Sequence, residues 1–564
     1  MLSDIEIVQK ARILPIEHIA RKIRIDRKFL IPHGKYIAKI DLNILSALSN
    51  RRRGKYIVVS AITPTPLGEG KTVTTIGLSM ALNRLGKKAS ACIRQPSLGP
   101  VFGIKGGAAG GGYSQVLPME EFNLHFSGDT HAVSLAHNLA AAFLDNSLFK
   151  GNRFRVDPQT NVWRRVIDIN DRSLRFIKTG LGLEQEPLVQ ESGFDITASS
   201  EVMAILALAT GLDDLRKRLG KIVLAYTDEQ RPLTCDDIRV AGSMTALLKE
   251  AIKPNLIQTI EHTPCFVHAG PFGNIAHGNS SILADRIALS CSDYVVTESG
   301  FGADCGAEKF FDIKCRASGF TPSAAVIVCS VRALKAHSGK FTVVAGRPLD
   351  KELTKENICA VEEGISNLEK QIENVRSFGV PVVVAINRFN TDTEREIGLI
   401  RKKALEFGAY DCVVSEVWLK GGSGGLDLGR AVIRAAQEKN DFRFLYPLEL
   451  SLKEKIEKIA LSMYGAKGVM YSSQAVNKIE LFTRQGWSGL PVCMSKTHLS
   501  LSHDPLLLGR PKDFILPIRD IRAFIGAGFL SPLCGSIQTM PGLPRHPAGE
   551  NIDIDDKGNI TGLF

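Results

Sequence analysis

The stretch Thr65-Pro66-Leu67-Gly68-Glu69-Gly70-Lys71-Thr72 lies between an apolar run, Tyr56 to Ile62, and a segment of helical spacing, Val73 to Leu85, that stops at Gly86. A short apolar run, then glycines, then a 3.6-residue period predicts a buried strand, a loop and a helix. Such a loop points backbone N–H groups and the positive end of the helix dipole at one place, which suits polyphosphate. Lys71 is placed to reach the outer phosphates, and the Thr72 hydroxyl to ligate the magnesium ion that travels with them. The spacing is that of a phosphate-binding loop (P-loop) with one departure, Thr65 at the position of the first glycine. The octet Thr65, Pro66, Leu67, Gly68, Glu69, Gly70, Lys71 and Thr72 is the candidate nucleotide site; a glycine-rich turn between any strand and helix is the plain alternative.

Composition narrows the surroundings of this loop. The chain has 564 residues, 44% apolar and 23% charged, which is globular and predicts no extended disordered segment. Its 70 basic and 59 acidic residues give a net charge of +11, spread widely. The longest basic run, Arg51-Arg52-Arg53, is too short for a nucleic-acid footprint, and a mild positive field helps to collect anionic substrates. Eleven cysteines without a C-x-x-C pair indicate reduced thiols and a cytoplasmic protein, with Cys92, Cys329 and Cys412 expected in the core. No apolar run is long enough to cross a bilayer, and Met1 to Glu6 lacks a signal pattern.

After the loop and its helix, a second strand, Ala89 to Ile93, ends on Arg94-Gln95-Pro96-Ser97-Leu98-Gly99-Pro100. Ligands gather at the carboxyl ends of strands in doubly wound sheets, so Arg94 is expected near Lys71, where a guanidinium offers a planar fork to phosphate or carboxylate. The run Gly103 to Tyr113 holds six glycines and two alanines. It is costly to order, and close approach to a ligand is the usual reason for such a run. Residues 1–50 read as an amphipathic helical arm broken at Pro15 and Pro32. Val202 to Leu219 reads as one helix, and Ile222 to Tyr226, Cys265 to His268, Tyr294 to Thr297, Ala325 to Cys329, Val380 to Ile386 and Asp411 to Val417 as buried strands. Their alternation with helices predicts a mostly parallel sheet covered on both faces.

The segments Arg94 to Pro100, Gly103 to Tyr113, Met119 to Asp129, Ala241 to Leu248, His268 to Gly278, Thr297 to Arg316 and Thr539 to Pro544 together resemble the formate–tetrahydrofolate ligase family, nearly end to end. The resemblance implies ATP-dependent ligation of formate to tetrahydrofolate, giving 10-formyltetrahydrofolate, ADP and phosphate through formyl phosphate. It implies catalytic roles for Lys71 and Arg94, with magnesium on Thr72 alongside ATP. It makes Gly106, Gly107, Gly110, Gly111, Gly112 and Tyr113 an active-site loop, and it sets Phe389 and Trp418 as a clamp for the pterin of tetrahydrofolate. It further implies a homotetramer, and leaves open whether a monovalent cation assists. The chain departs from the family at Gln95, where glutamate is common, at Asn390, where proline is usual, and at Cys329-Ser330 and Ser338.

The expected fold class is therefore α/β: a P-loop nucleotide-binding core with a mostly parallel sheet, plus smaller α/β and α+β domains. Residues 1–355 are assigned to the nucleotide and formyl-phosphate domain with its helical arm, 356–450 to a folate-binding α/β domain and 451–564 to a smaller C-terminal domain. No dehydrogenase or cyclohydrolase module is present, which fits the monofunctional form. His125, His131, His268 and His277 are candidates to accept a proton from N10 of the folate. Two other readings are a non-catalytic nucleotide- or folate-binding relative and a P-loop ATPase of another kind.

Overall fold

The computed structural model describes residues 2–105, 108–181, 189–273, 275–343, 349–535, 537–556 and 558–563. Among them, twelve strands join in one sheet: β1 (Leu30–His33), β2 (Ile37–Ile40), β3 (Lys55–Ala61), β4 (Ala89–Ile93), β5 (Gly110–Gly111), β6 (Ser114–Leu117), β7 (Asn255–Thr259), β8 (Pro264–Val267), β9 (Tyr294–Glu298), β10 (Ala324–Cys329), β11 (Val382–Asn387) and β12 (Asp411–Ser415). Their order is β1-β2-β7-β8-β4-β9-β3-β10-β11-β12, with β6 pairing to β7 and β5. From β8 to β12 every neighbouring pair is parallel. Strands β4, β8, β9, β10 and β11 are buried along their whole length, as helices on both faces of a parallel sheet require.

The chain leaves β3 towards β4 on one side and later passes from β9 to β10 on the other. Between β3 and β4 it inserts β9, pairing Tyr294–Glu298 with Lys55–Val59 and Tyr294–Thr297 with Ala89–Cys92. The loops beyond β3, β4 and β9 therefore open onto one crevice, the place where a doubly wound sheet holds its ligand.

Several expected strands stand where predicted, and three expectations are corrected. The N-terminal arm is helical at Asp4–Lys10 and Ile16–Lys22, but Leu30–Ile40 is a hairpin on the sheet's edge. Pro32, read as a helix break, lies on the outer strand β1, where a missing N–H breaks no ladder. The single helix expected over Val202–Leu219 is two, Glu201–Leu208 and Leu212–Gly220. Thr210 divides them by donating its amide and hydroxyl to Asp214 Oδ2 at 2.9 and 3.2 Å. The strand Val223–Tyr226 does not join the large sheet; it pairs antiparallel with Pro232–Thr234. Strands β11 and β12, by contrast, continue the large sheet beyond β10, and a separate three-stranded sheet, Gly468–Tyr471, Ile515–Phe524 and Phe529–Cys534, packs with the helices Leu452–Ile459 and Ser473–Arg484.

Buried ion pairs tie these layers. Lys39 on β2 reaches Asp129 at 2.7 Å, and Asn255 donates to the other oxygen of that carboxylate at 2.8 Å. Lys335 and Glu396 pair at 2.6 Å, and Lys496 and Asp304 at 2.9 Å, all four side chains being buried. Removing one partner of such a pair leaves an uncompensated charge in the interior. Lys39→Met is expected to cost about 3–5 kcal/mol of stability, read as a lowered chemical-denaturation midpoint. A loss no greater than about 0.5 kcal/mol, the size of a surface substitution, would mean that water reaches Asp129.

Candidate functional site

The candidate side chains sit at the carboxyl ends of parallel strands. The loop after β3 runs into a helix, Lys71–Arg84, whose N-terminal residue follows Gly70. Gly68 and Gly70 hold φ at +72° and +82°, where a side chain is strained, whereas Thr65 has no such backbone. The glycine missing at Thr65 is therefore not needed. Its amide and hydroxyl both donate to Glu69 Oε1, at 2.7 and 3.0 Å, and so close the loop. Asn387, the last residue of β11, supports the loop from below: its Nδ2 donates to the Glu69 carbonyl at 3.2 Å, and a Cβ on Gly70 would lie 2.5 Å from that nitrogen.

Four groups converge above this loop. Lys71 Nζ lies 4.0 Å from Glu69 Oε2. The Thr72 hydroxyl donates to Glu298 Oε2 at 2.7 Å. Arg94, just past β4, has its Nε 3.7 Å from Glu298 Oε1 and donates to the Pro271 carbonyl at 3.1 Å. Burial lowers the Lys71 pKa; Glu69 and Glu298 work against that fall and the nearby Arg94 charge adds to it. Arg94 Nε has no hydrogen-bond partner among the described residues, although it is buried. The structure brings Lys71, Thr72 and Arg94 to one crevice and adds Glu298, which the sequence did not single out. Its signal was its place at the carboxyl end of the predicted strand Tyr294 to Thr297.

The glycine-rich loop does something different from what its composition suggests. Gly106 and Gly107 lie outside the described residues. Gly111 and Gly112 pack against Trp418 and against Asp4 of the N-terminal helix. Gly110 and Gly112 have φ of +107° and +55°, and a Cβ on Gly112 would stand 2.1 Å from the Trp418 carbonyl oxygen. The Tyr113 amide donates to that same carbonyl at 2.7 Å, and Ser114 Oγ to the Val417 carbonyl at 2.8 Å. Asp4 accepts from the Gly112 amide at 2.8 Å. Asp4, in a segment read as a structural arm, thus holds a loop of the site.

Trp418 is 36% exposed and is the second residue of a short helix, Val417–Lys420, three residues past the end of β12, which stops at Ser415 and not at Val417 as expected. Phe389 follows β11 and is half-buried. Residues Asn387 and Ser415 are register partners, so the two aromatics leave neighbouring strands on the same side of the sheet's end. Ser338 takes an ordinary right-handed backbone and its hydroxyl donates to the Lys335 carbonyl at 2.6 Å, so a glycine is not required there.

The four candidate histidines divide in two. His268 is buried with one ring nitrogen 2.6 Å from Ser281 Oγ and the other 2.7 Å from the Ala251 carbonyl, and burial takes its pKa down to about 4. His277 is buried as well and falls to about 3, chiefly through burial. His125 and His131 are exposed and line a cavity of about 350 Å³ together with Gln95, Thr130 and Asp168. Ten of the cysteines are buried, all eleven are free thiols, and Cys92, Cys329 and Cys412 are in the core as expected.

An α/β protein with a lysine, an arginine and a helix N-terminus at the topological switch of a parallel sheet belongs to the class that handles anionic substrates there. The comparison with known sequences is specific about which. The model of the family described as formate–tetrahydrofolate ligase matches residues 2–564. Formate–tetrahydrofolate ligases of Roseiflexus castenholzii, Desulforamulus reducens and Cutibacterium acnes are 58%, 55% and 52% identical to this chain, each alignment covering 100% of it and 99–100% of the relative. The chain belongs to the formate–tetrahydrofolate ligase family and is a ligase. Among the described residues no helix is long and apolar enough to cross a membrane.

Two outcomes follow from this geometry. Gly112→Ala forces a Cβ into the Trp418 backbone at a positive φ, and is expected to cost about 1–3 kcal/mol and to shift the Trp418 fluorescence. An unchanged midpoint and spectrum would mean that the loop yields freely. His137, with a pKa lowered to about 4 by burial, joins His268 in staying neutral in the folded protein. The unfolded chain takes up protons first as pH falls through about 6.5, so stability is complete above that pH and is lost progressively down to about 4. Denaturation midpoints measured from pH 7.5 to pH 4.5 should fall along that window; a flat profile would place protons on these rings in the native state.

Proposed function

We propose that this protein joins formate to tetrahydrofolate at the expense of ATP, through formyl phosphate, giving 10-formyltetrahydrofolate, ADP and phosphate. The observation that supports it most is the meeting of Lys71, Thr72, Arg94 and Glu298 at the end of β3, β4 and β9. Formate is a poor acyl donor because its oxygen must leave as oxide or hydroxide. In the first step a formate oxygen forms a bond to the γ-phosphorus and the bond from that phosphorus to the bridging oxygen breaks, releasing ADP. Catalysis of such a transfer is mainly positioning and charge neutralisation. Lys71 and the loop amides hold the outer phosphates, and Arg94 holds the transferred group from the opposite side of the crevice. The Thr72 hydroxyl beside the Glu298 carboxylate is an oxygen pair of the kind a hard divalent cation accepts, so these two residues would hold a magnesium ion bound with ATP, which would supply neutralisation of phosphate charge.

In the second step N10 forms a bond to the formyl carbon and the carbon–oxygen bond breaks, with phosphate leaving into the grip of Arg94. Phe389 and Trp418 are the proposed holders of the folate ring, and the 356–450 segment that carries them its binding region. No nucleophilic side chain is needed, because the mixed anhydride already carries the activation. His268 and His277 are weak acceptors for the N10 proton at neutral pH, given how far burial lowers them. His125 and His131, open to solvent, are better placed for it. We also propose the homotetramer that the family resemblance implies; the exposed Leu135 and Phe143 on the helix Asp129–Phe149 suit a subunit contact.

The test is formation of 10-formyltetrahydrofolate and ADP from ATP, formate and tetrahydrofolate, with each omitted in turn. Product and ADP should appear together only with all three; ATP consumption without formate or folate would indicate an ATPase of another kind. Lys71→Ala is expected to slow turnover by about two to four orders of magnitude, as loss of a transition-state charge does. Arg94→Ala should lose turnover while keeping most ATP affinity, and calorimetry with a non-hydrolysable ATP analogue checks this: lost nucleotide binding would move Arg94 to a nucleotide role.

A further inference from the structure

One cation near the proposed folate side makes no ion pair among the described residues. Arg332 is the second residue of the helix Val331–His337, which begins just past the end of β10. Strand β10 lies between β3 and β11, so Arg332 emerges between the Thr65–Thr72 loop and the Asn387–Phe389 segment. Its guanidinium carbon sits over the Phe389 ring, 3.4 Å from the centroid. At that distance the guanidinium uses its face on the ring and keeps its edge N–H donors.

Those donors are not spoken for. Among the described residues, no hydrogen bond or ion pair engages Arg332, and its Nε is buried without a partner. The nearest opposing charge is Asp392, whose Oδ2 accepts from the Phe389 amide at 2.8 Å. Burial lowers the pKa of Arg332, with Asp392 only partly opposing it. A guanidinium half-withdrawn from water and lacking a hydrogen-bonding acceptor is a costly arrangement unless a ligand supplies one. The stacking also decides the geometry of that ligand: Arg332 covers one face of Phe389, so a flat ring can stack only on the other.

We propose that Arg332 binds the folate substrate, its free edge donating to an oxygen acceptor of that molecule, either the oxo group of the pterin or the carboxylates of the glutamate tail. The assignment rests on Phe389 belonging to the folate site, as proposed above. On this basis Arg332 and Phe389 form one platform, in which the arginine fixes the ring's rotamer and reads the acceptor at its rim. Charge alone does not suffice for this, because lysine offers neither the plane that stacks nor the fork that donates.

Steady-state kinetics on Arg332→Gln, Arg332→Lys and Phe389→Ala test it, with thermal unfolding as the control for folding. Arg332→Gln and Arg332→Lys are expected to raise the KM for tetrahydrofolate by about tenfold or more, the factor that follows from losing a hydrogen bond to a charged group, while those for ATP and formate stay within about twofold. Tetrahydropteroate, which lacks the glutamate, separates the two acceptors. If the tail is read, wild type prefers tetrahydrofolate and the variants lose that preference; if the pterin is read, both KM values rise by the same factor. A raised KM for ATP, or no change in any KM beside an affected Phe389→Ala, overturns the assignment of Arg332. An unchanged folate KM in both Phe389→Ala and Trp418→Ala overturns the folate reading of this end of the sheet, and the assignment with it. Should Arg332→Gln fail to fold, Arg332→Lys carries the comparison.

Discussion

The carboxylate of Glu298 is the interaction on which the site is built. Two cations, Lys71 and Arg94, are brought to one crevice because β3 and β4 run parallel with only β9 between them. Held there without an anion they would repel, and burial already weakens the protonation of Lys71. Glu298 ends the intervening strand and places one oxygen at the Thr72 hydroxyl and the other near Arg94 Nε. One acid thus stands among Lys71, Thr72 and Arg94. Its position is dictated by sheet order, since only the strand between β3 and β4 ends within reach of both loops.

Backbone packing makes a second constraint. A glycine run invites the idea of a ligand lying against bare backbone. At Gly111 and Gly112, however, the close neighbour is the protein itself: the Trp418 carbonyl and indole, with Asp4 on the other side. The conformational entropy lost in ordering these glycines is offset by hydrogen bonds to Tyr113, Ser114 and Gly112 that fix the Trp418 helix. The N-terminal helix is capped by Ser3, whose hydroxyl accepts from the Glu6 amide while Glu6 returns a bond to the Ser3 amide. This short helix is therefore part of the support for Trp418, a residue more than four hundred positions away.

Much of this architecture was legible in the sequence where the signal is local. Short apolar runs such as Tyr294–Thr297 and Ala325–Cys329 read as strands buried on both faces, and a helix start after Gly70 follows from the glycine and the periodic run behind it. What was not legible depends on pairing across long separations. The hairpin Leu30–Ile40 has apolar residues at spacings that also fit a helix, and only its partner β7, more than two hundred residues on, decides for a strand. Val223–Tyr226 is as apolar as any central strand, yet it pairs with the adjacent Pro232–Thr234 and never reaches the sheet. The same limit hid Glu298 and Asp4. Each is an unremarkable acid in the sequence, and each acquires its role from a loop that the fold brings beside it.

Arg94 and Gln95 part ways at the end of β4: the Gln95 backbone N–H donates to the Ala269 carbonyl at 2.8 Å and its buried side chain lines the cavity of His125 and His131, while the Arg94 guanidinium meets Glu298 and the Pro271 carbonyl. Glu298 is the one carboxylate in ion-pair range of Arg94 among the described residues, and at 3.7 Å it makes no hydrogen bond to Nε. A guanidinium held loosely by one carboxylate releases it readily to a phosphate, whose charge is greater and whose oxygens match the fork.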